Sequence, residues 1–454
     1  MGDDKVDDIY KYIDSYQDQY IGWLQELCKQ PSVAAQHRGI KNTTTLVENY
    51  IRQVGGQSKQ FDTSGNPVVF GQFDGIKDKI ISFYNHYDVQ PEDPVDKWTY
   101  PPFGAEIHDD RIYARGVADN KGNLIARLAA VDAFIKCRGQ LPMNVKFIVE
   151  GEEEIGSIHL EEFSEENTEA IRSDGCLWEF GYKNADGRSQ VSLGVKGEIY
   201  IELICRGAKM DVHSAEAAVI MNPAWRLVWA LSTLKDSEEH VTIEHFYDQV
   251  KPLTNWDSEM IEQLIYNEQE KLEQLGLNQF LLNLTGNQLK KRLVFQPTCT
   301  ICGFESGYTG KGSKTVLPSI AKVKLDFRLV PDQDPDEIMN LLREHLDKHG
   351  FSDIDMINLG SEKPARTDFA NPLVESVITS DEKISGLQPT LMPMSAGTGP
   401  MYTLCQQFGI PAVSIGVGNF KSNNHAPDEN ILVKDFVNGI KIVATIIDDF
   451  SNRV

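Results

Sequence analysis

Stretches typical of strands and of helices alternate along the first part of this chain, and no other feature constrains its fold as strongly. Residues 79–84 and 144–150 are apolar runs typical of buried strands, whereas residues 121–137 carry apolar side chains at helical spacing. This alternation predicts an α/β domain in which helices flank a mostly parallel central sheet. Further helices are predicted over residues 7–30, 372–385 and 434–451.

The middle of the chain has a different pattern. From about Gly197 onward, the predicted strands alternate between polar and apolar residues, and they are separated by amphipathic helices. This pattern is typical of an α+β domain rather than of the α/β arrangement that precedes and follows it. The predicted strands cover 198–206 and 321–330, the predicted helices cover 223–234 and 336–349, and residues 255–292 are mostly helical.

The chain has 454 residues, which is more than one compact core usually holds. Because the α/β pattern resumes after the different middle segment, we expect a discontinuous domain interrupted by an inserted one. The expected catalytic domain consists of residues 1–196 and 370–454, and the inserted domain consists of residues 197–369. The sequence shows no internal repeat and no low-complexity tract.

Composition excludes several classes of partner. The net charge of −23 would repel nucleic-acid backbones and anionic membranes, so we expect no binding to either. No apolar run approaches the roughly 20 residues of a membrane span, and the acidic first eight residues do not form a signal peptide. The seven cysteines are an odd number, typical of reduced thiols. We therefore expect a cytoplasmic protein.

His86 and Asp88 are the first candidate site residues. They lie two residues apart at the end of a predicted strand, so their side chains point to the same side. A histidine beside a carboxylate suits a metal ligand together with the group that orients its ring. Such a pair is also common among ordinary polar loop residues, and further ligands are needed to support a metal site.

Four other stretches at predicted strand ends supply such ligands, and each has a structural alternative. Asp119 precedes a helix, where a carboxylate also serves as a cap. The run Glu152, Glu153 and Glu154 follows a buried strand, although it also suits an acidic surface loop. Glu179 stands alone in an apolar run, and His425 lies in a loop. Imidazole and carboxylate ligands together suit Zn²⁺, with Mn²⁺ or Co²⁺ as substitutes.

Taken together, these motifs resemble those of the dinuclear-zinc metallopeptidases that include carboxypeptidases, aminoacylases, desuccinylases and carnosinases. The resemblance extends in order over nearly the whole chain. The long inserted segment and the stretches 310–318 and 327–331 resemble the carnosinase-like dipeptidase branch in particular. The resemblance implies a zinc-exopeptidase-like catalytic domain, an inserted lid and dimerisation domain, two divalent cations per subunit and a homodimer.

The same resemblance implies roles for individual residues around the two cations. Asp119 would bridge the ions and be followed by a cis peptide bond, Asp88 would orient His86, and Glu153 would be the general base. Glu152 would lie behind them, although the run of three glutamates leaves this alignment open by one residue. The implied ligands are His86, Asp119 and Glu179 for one ion, and Asp119, Glu154 and His425 for the other.

Further roles concern the substrate. His213 resembles a histidine that reaches across a dimer interface to the scissile carbonyl oxygen, and Thr315 would cross the interface with it. Arg328 resembles a clamp for the substrate carboxylate, a task that suits a planar bidentate donor. Thr398 and the adjacent Gly397 would contact the same carboxylate.

The implied activity is metal-dependent hydrolysis of an amide bond in dipeptides or short peptides with a free carboxylate. The alternative is an N-acyl-amino-acid deacylase that uses the same chemistry. Two positions depart from the dipeptidase pattern: Glu179 stands where an aspartate is usual, and Asn371 lies near the place of a substrate-binding histidine. A metal-binding protein without catalysis is a third possibility, against which the Glu153–Glu154 pair argues.

Overall fold

A computed structural model of the protein describes residues 6–453. The first five residues, on which part of the signal-peptide argument rests, lie outside this range. In the described residues the helices are α1 (Asp7–Ser15), α2 (Gln17–Lys29), α3 (Ile40–Gln53), α4 (Gly122–Arg138), α5 (Leu160–Glu166), α6 (Thr168–Ile171), α7 (Pro223–Leu231), α8 (Asn255–Gln263), α9 (Glu268–Leu275), α10 (Gly286–Phe295), α11 (Pro335–Lys348), α12 (Pro372–Ser385), α13 (Met401–Leu404) and α14 (Val433–Asn452).

The strands alternate with these helices at both ends of the chain and cluster in its middle. They are β1 (Gln57–Phe61), β2 (Val68–Phe73), β3 (Gly75–His86), β4 (Glu106–His108), β5 (Arg111–Tyr113), β6 (Leu141–Glu150), β7 (Gly175–Trp178), β8 (Tyr182–Lys183), β9 (Gln190–Ser192), β10 (Gly194–Val195), β11 (Gly197–Arg206), β12 (Val212–His213), β13 (Thr298–Ser306), β14 (Val316–Leu317), β15 (Ile320–Leu329), β16 (Asp355–Glu362), β17 (Ala365–Arg366), β18 (Thr390–Met392), β19 (Ala412–Ser414), β20 (Gly418–Asn419) and β21 (Asn430–Leu432).

An eight-stranded mixed sheet forms the centre of the larger part, in the order β1-β2-β6-β3-β7-β19-β9-β18. The four strands in its middle, β6, β3, β7 and β19, run parallel to one another. The antiparallel pairs are β1 with β2, β2 with β6, and β19 with β9. The predicted α/β class is confirmed, and its parallel strands are the ones that end at the candidate site.

Both faces of this sheet are covered, which explains why its central strands read as continuous apolar runs. Phe83 and Phe147 point to one face, where they join a core that includes residues of α1, α2, α4, α12 and α14. Their neighbours Tyr84 and Ile148 point to the other face and pack with residues of α5 and α13. Alternate residues of one strand therefore serve two separate cores.

The middle of the chain forms its own sheet and core. Its antiparallel strands lie in the order β13-β15-β11-β16, and residues of α7 and α11 complete a core around Leu203 and Phe327. The chain enters this part through β10 and leaves it through β17, which pair side by side. A Cβ on Gly194 would lie 2.2 Å from the Ala365 carbonyl oxygen, so this close crossing requires glycine. The exact domain boundaries remain predictions.

Two predicted helices differ from the structure in their continuity. The helix expected over residues 7–30 is divided at Tyr16, whose φ of −114° and ψ of 15° are not helical. The helical stretch expected over 255–292 consists of α8, α9 and α10 with turns between them. Among residues 6–453, no helix is both long enough and apolar enough to cross a membrane.

Candidate active site

Three adjacent parallel strands end at one edge of the large sheet and deliver most of the candidate ligands there. His86 is the last residue of β3, and it lies opposite Glu150, the last residue of β6. Glu153 and Glu154 follow β6 in a short 3-10 turn, and Glu179 directly follows β7. Since the carboxyl ends of parallel strands meet at one edge, sequence-distant side chains converge here.

His86 lies at the centre of one half of this cluster. Its Nε2 atom is 3.0 Å from Asp119 Oδ1, 3.5 Å from Glu179 Oε2 and 3.9 Å from Glu153 Oε2. On the other side of the ring, Nδ1 is 3.0 Å from the backbone carbonyl oxygen of Asp88 and 3.4 Å from its Oδ1 atom. The histidine therefore presents one nitrogen to three carboxylates, while Asp88 stands where an orienting group belongs.

His425 occupies the other half. Its Nε2 atom is 3.3 Å from Asp119 Oδ2 and 3.1 Å from Glu154 Oε2. Asp119 thus turns one carboxylate oxygen toward each histidine, which is the arrangement of a carboxylate that bridges two sites. The structure brings all five predicted metal ligands together: His86, Asp119, Glu154, Glu179 and His425.

Two groups of side chains offer ligand atoms that all lie within 4.8 Å of one another. One group, Asp119, Glu154 and His425, is identical to one predicted ligand set. The other consists of His86, Glu153 and Glu154, whereas the predicted second set combines His86 with Asp119 and Glu179. The assignment of individual ligands to individual ions therefore remains a prediction.

The electrostatics of the cluster suit cations. Burial, reinforced by neighbouring carboxylates, raises the pKa of Glu153 well above its usual value and that of Glu179 to about 8. Hydrogen bonds with Asp119 and Glu154 raise the pKa of His425 to about 10. For His86, burial acts to lower the pKa, but hydrogen bonds with Asp119 and Asp88 outweigh it and raise the pKa. Carboxylates thus outnumber the histidines at a largely buried position.

One buried oxygen that faces the cluster, Glu179 Oε2, lacks a hydrogen-bond donor. A buried carboxylate oxygen without a donor is costly unless a cation compensates it. Imidazole nitrogens and carboxylate oxygens at one place are the donor set of zinc and similar divalent ions. The residues present therefore fit divalent cations.

The side chains of the three consecutive glutamates do not all point the same way. The backbone N–H of Glu154 donates to Asp88 Oδ2 at 3.0 Å, which holds the turn against the His86 segment. Glu152 is directed elsewhere, since its carboxylate accepts the Asn66 N–H at 2.9 Å and contacts His159 Nδ1 at 2.7 Å. Glu153 and Glu154, rather than Glu152, therefore face the cluster.

The backbone around Asp119 has the predicted cis peptide bond between Asp119 and Asn120. Glu429, which was not among the predicted site residues, fixes the loop that contains Asp119. One oxygen of Glu429 accepts the N–H groups of Ala118 and Asp119 at 2.9 and 3.1 Å. The other accepts Arg115 Nη1 at 2.8 Å and the Gly116 N–H at 2.9 Å. Since Glu429 follows His425 by four residues, it ties two ligand loops together.

Asn424 and Gln90 also hold ligand side chains in place. Asn424 Nδ2 donates to Asp119 Oδ2 at 3.1 Å and to the Tyr182 hydroxyl at 2.7 Å. Gln90 Nε2 donates to Glu154 Oε2 at 2.9 Å. Both are polar residues near a predicted ligand in the sequence, and that proximity is the signal by which they could have been found.

The residues of the predicted carboxylate clamp lie near this cluster. Arg328 Nη1 donates to Thr398 Oγ1 at 2.7 Å, so the two residues converge. Gly397 precedes Thr398, and a Cβ on the following Gly399 would lie 3.9 Å from Glu179 Oε1. Arg328 also contacts Asp326 and Glu198 through Nη2, at 3.0 and 2.9 Å. The loop 397–399 thus connects the arginine to the metal ligands.

His213 and Thr315 form a separate group on the inserted part. Thr315 Oγ1 lies 3.3 Å from His213 Nε2, and both residues are exposed beside the paired strands β12 and β14. His213 Nδ1 accepts the Ala215 N–H at 3.1 Å. Asn371 caps helix α12 by accepting the Leu373 N–H at 2.9 Å.

Comparison with known proteins bears on this geometry. The sequence profile of Peptidase family M20/M25/M40 matches residues 82–449. The chain belongs to this family. The resemblance drawn from the motifs is thereby confirmed, together with the predictions of the fold class and of a metallopeptidase.

Similar proteins cover almost the whole chain. The Beta-Ala-His dipeptidase of Rattus norvegicus is 26% identical over 98% of this chain and 96% of its own length. The Cys-Gly metallodipeptidase dug1 of Schizosaccharomyces pombe is 24% identical over 98% of both chains. Among solved structures, the M20 family metallo-carboxypeptidase Sso-CP2 from Sulfolobus solfataricus is 40% identical, with a TM-score of 0.91 over 96% of this chain and 99% of that one.

The position of Glu429 leads to a prediction about metal affinity. In Glu429→Gln, the amide nitrogen that replaces one oxygen cannot accept, so two of the four donors lose their acceptor and the Asp119 loop is held less firmly. We expect zinc affinity to fall about 10–100-fold, as when comparable supporting groups are removed. A chelator-competition titration measures it. Glu375→Gln, at an exposed position on α12, should bind zinc like the wild type, and equal affinity in both variants would contradict the prediction.

Proposed function

We propose that this metallopeptidase hydrolyses the amide bond of dipeptides or short peptides that have a free carboxylate. The observation that carries the proposal is the position of Asp119, with one oxygen near each histidine, beside Glu153 at the edge of the cluster. This arrangement supports two cations per subunit with a general base next to them. Zinc is the proposed metal, and manganese or cobalt are the proposed substitutes.

His86, Asp119 and Glu179 would hold one cation, and Asp119, Glu154 and His425 the other. Such a pair of ions supplies Lewis acidity and lowers the pKa of a water molecule between them. Asp88 is proposed to fix the orientation of the His86 ring, because its carbonyl oxygen lies 3.0 Å from Nδ1 and its Oδ1 atom lies 3.4 Å from the same nitrogen. Its Oδ2 atom accepts the Glu154 N–H. The ring is thereby kept with Nε2 toward the ligands.

Glu153 is the proposed general base. Its carboxylate accepts a proton from the attacking water and later donates it to the nitrogen of the leaving amine. The 3-10 turn after β6 holds Glu153 at the margin of the cluster, 3.9 Å from His86 Nε2, so one carboxylate remains beside the ligands. A protein that only binds metal needs no such group.

Arg328 and Thr398 are proposed to bind the substrate carboxylate. Their contact at 2.7 Å places a guanidinium edge and a hydroxyl together. Gly397 leaves space beside Thr398, since a Cβ there would have only Ser395 Oγ within 4 Å, at 3.6 Å. Recognition of a terminal carboxylate next to the metals would restrict the enzyme to bonds near a peptide end. The names of the similar proteins, two dipeptidases and a carboxypeptidase, support this substrate class.

In a homodimer, His213 is proposed to contact the scissile carbonyl oxygen of a substrate bound in the active site of the partner subunit. Thr315 would lie beside it. Exposed apolar side chains on the inserted part support an interface there. Trp225 and Trp229 stack on α7 while remaining 58% and 53% exposed, and large apolar patches of this kind mark protein contacts. The free cysteines support the proposed cytoplasmic location.

Replacing the base separates chemistry from metal binding. Glu153→Gln should keep its metal and fold while kcat falls about 10²–10⁴-fold, the usual contribution of a general base. Steady-state kinetics and metal analysis measure the two effects. The neighbouring Glu152→Gln is the matched control and should keep wild-type kcat, because Glu152 faces Asn66 and His159 instead. Near wild-type turnover by Glu153→Gln would show that the base is another group.

A substrate panel tests the carboxylate clamp. Arg328→Lys removes the planar fork, so we expect kcat/KM for dipeptides to fall about 10–100-fold, as for the loss of a charged hydrogen bond. C-terminally amidated dipeptides should be poor substrates of both proteins. Arg206→Lys alters an exposed pair with Asp355 and should have no effect. Faster hydrolysis of N-acetyl or N-succinyl amino acids than of any dipeptide would instead indicate the deacylase alternative.

Mixed dimers test the shared site. Glu153→Gln and His213→Ala should each be nearly inactive alone. In a mixed dimer, the subunit with His213→Ala keeps Glu153 and receives an intact histidine from its partner. Random mixing should therefore restore about a quarter of wild-type activity. Mixtures as inactive as either variant alone would contradict a site completed across the dimer interface.

A further inference from the structure

Arg127 is a buried arginine of α4 that lies behind the metal ligands. Its side chain is fully enclosed, with 1% exposure, and it donates to five oxygens of neutral groups. Nη1 reaches the Tyr84 carbonyl at 2.5 Å, Asn85 Oδ1 at 2.9 Å and the Leu177 carbonyl at 3.2 Å. Nη2 reaches the carbonyls of Trp178 and Glu179 at 2.5 and 3.4 Å.

The acceptors lie where two strands separate. The ladder between β3 and β7 ends at the pair of Phe83 and Leu177. Beyond that pair, β3 continues to His86 in contact with β6, while β7 leads to Glu179. The guanidinium is not part of this ladder but donates to carbonyls at and beyond the last pair. It therefore links the two strand ends that lead to His86 and Glu179.

A third ligand segment belongs to the same network. Asn85, which accepts from Arg127, donates through Nδ2 to Asn120 Oδ1. Asn120 Nδ2 in turn donates to the Glu179 carbonyl at 2.7 Å, and Arg127 shares that carbonyl. Since Asn120 follows Asp119, the network connects the backbones next to His86, Asp119 and Glu179.

A buried cation with only neutral acceptors is costly to the fold. Burial lowers the pKa of Arg127 to about 10, a value at which the side chain still carries its charge at neutral pH. A neutral side chain could fill this volume without the cost, so the position needs what arginine alone supplies: planar donors that reach several fixed acceptors at once.

We propose that Arg127 is a positioning residue that sets the spacing between His86 and Glu179 and thereby the affinity for the cation that these ligands share. The proposal rests on the ligand roles given above. The guanidinium links β3 and β7 beyond the point where their backbone hydrogen bonds end. Its loss would leave the end of β7 free to shift relative to the end of β3.

Cobalt titration of Arg127→Lys tests this directly. Lysine keeps the positive charge but lacks the planar set of guanidinium donors. We expect one of the two cobalt ions to bind about 10–100-fold more weakly, with a changed cobalt absorption spectrum. At low metal kcat should fall, excess cobalt should restore most of it, and KM for the dipeptide should stay unchanged. Arg343→Lys is the matched control, since Arg343 also bonds backbone carbonyls, but in the inserted part.

Equal thermal destabilisation of both variants, with wild-type cobalt affinity and spectrum in Arg127→Lys, would reduce Arg127 to a structural role and overturn the proposal. If Arg127→Lys does not fold, Asn85→Ala carries the test, because it removes one acceptor and the link to Asn120. Unchanged cobalt affinity in Asn85→Ala would then overturn the proposal. Glu179→Gln distinguishes a failure of the Arg127 proposal from a failure of the proposed ligand set. Unaltered cobalt binding in this variant would disprove the ligand role of Glu179 itself.

Discussion

The carboxylate of Asp119 faces two histidines at once, and the other features of the site are arranged around that contact. Each oxygen has its own imidazole nitrogen, His86 at 3.0 Å and His425 at 3.3 Å. Further carboxylates lie close to Asp119, and this proximity is unfavourable in a buried pocket unless cations are present. The same contact brings two regions of the chain, more than 300 residues apart, to one point.

The fold supplies this convergence in a simple way. Neighbouring parallel strands end at one edge of the sheet, and buried groups then fix the loops that follow them. Glu429 holds the backbone before Asp119, and Arg127 holds the backbones before His86 and Glu179. The inserted part rejoins the larger one through the pair β10 and β17, so that Arg328 meets Thr398 beside the ligands. Most of the candidate metal ligands thus follow strands of the large sheet, whereas the proposed substrate-binding pair of Arg328 and Thr398 joins two parts of the chain.

The side chains that converge at the site have a local signal in the sequence. A polar residue that directly follows an apolar strand, as His86 and Glu179 do, is recognisable from a few neighbours. Glu429 and Arg127 could not be recognised in this way. Their partners are mainly backbone atoms of distant segments, and the amino-acid sequence does not show where backbone atoms lie.

The division of the first helix at Tyr16 was missed because no glycine or proline marks it. The place of Glu152 became clear only from its contacts with Asn66 and His159.

Anomalous diffraction from crystals grown with zinc tests the central claim most directly. We expect two zinc peaks per chain, about 3.5–4 Å apart, with the Asp119 carboxylate between them and one histidine nitrogen at about 2.0–2.1 Å from each. A single peak per chain, or two peaks of which neither lies next to Asp119, would contradict it.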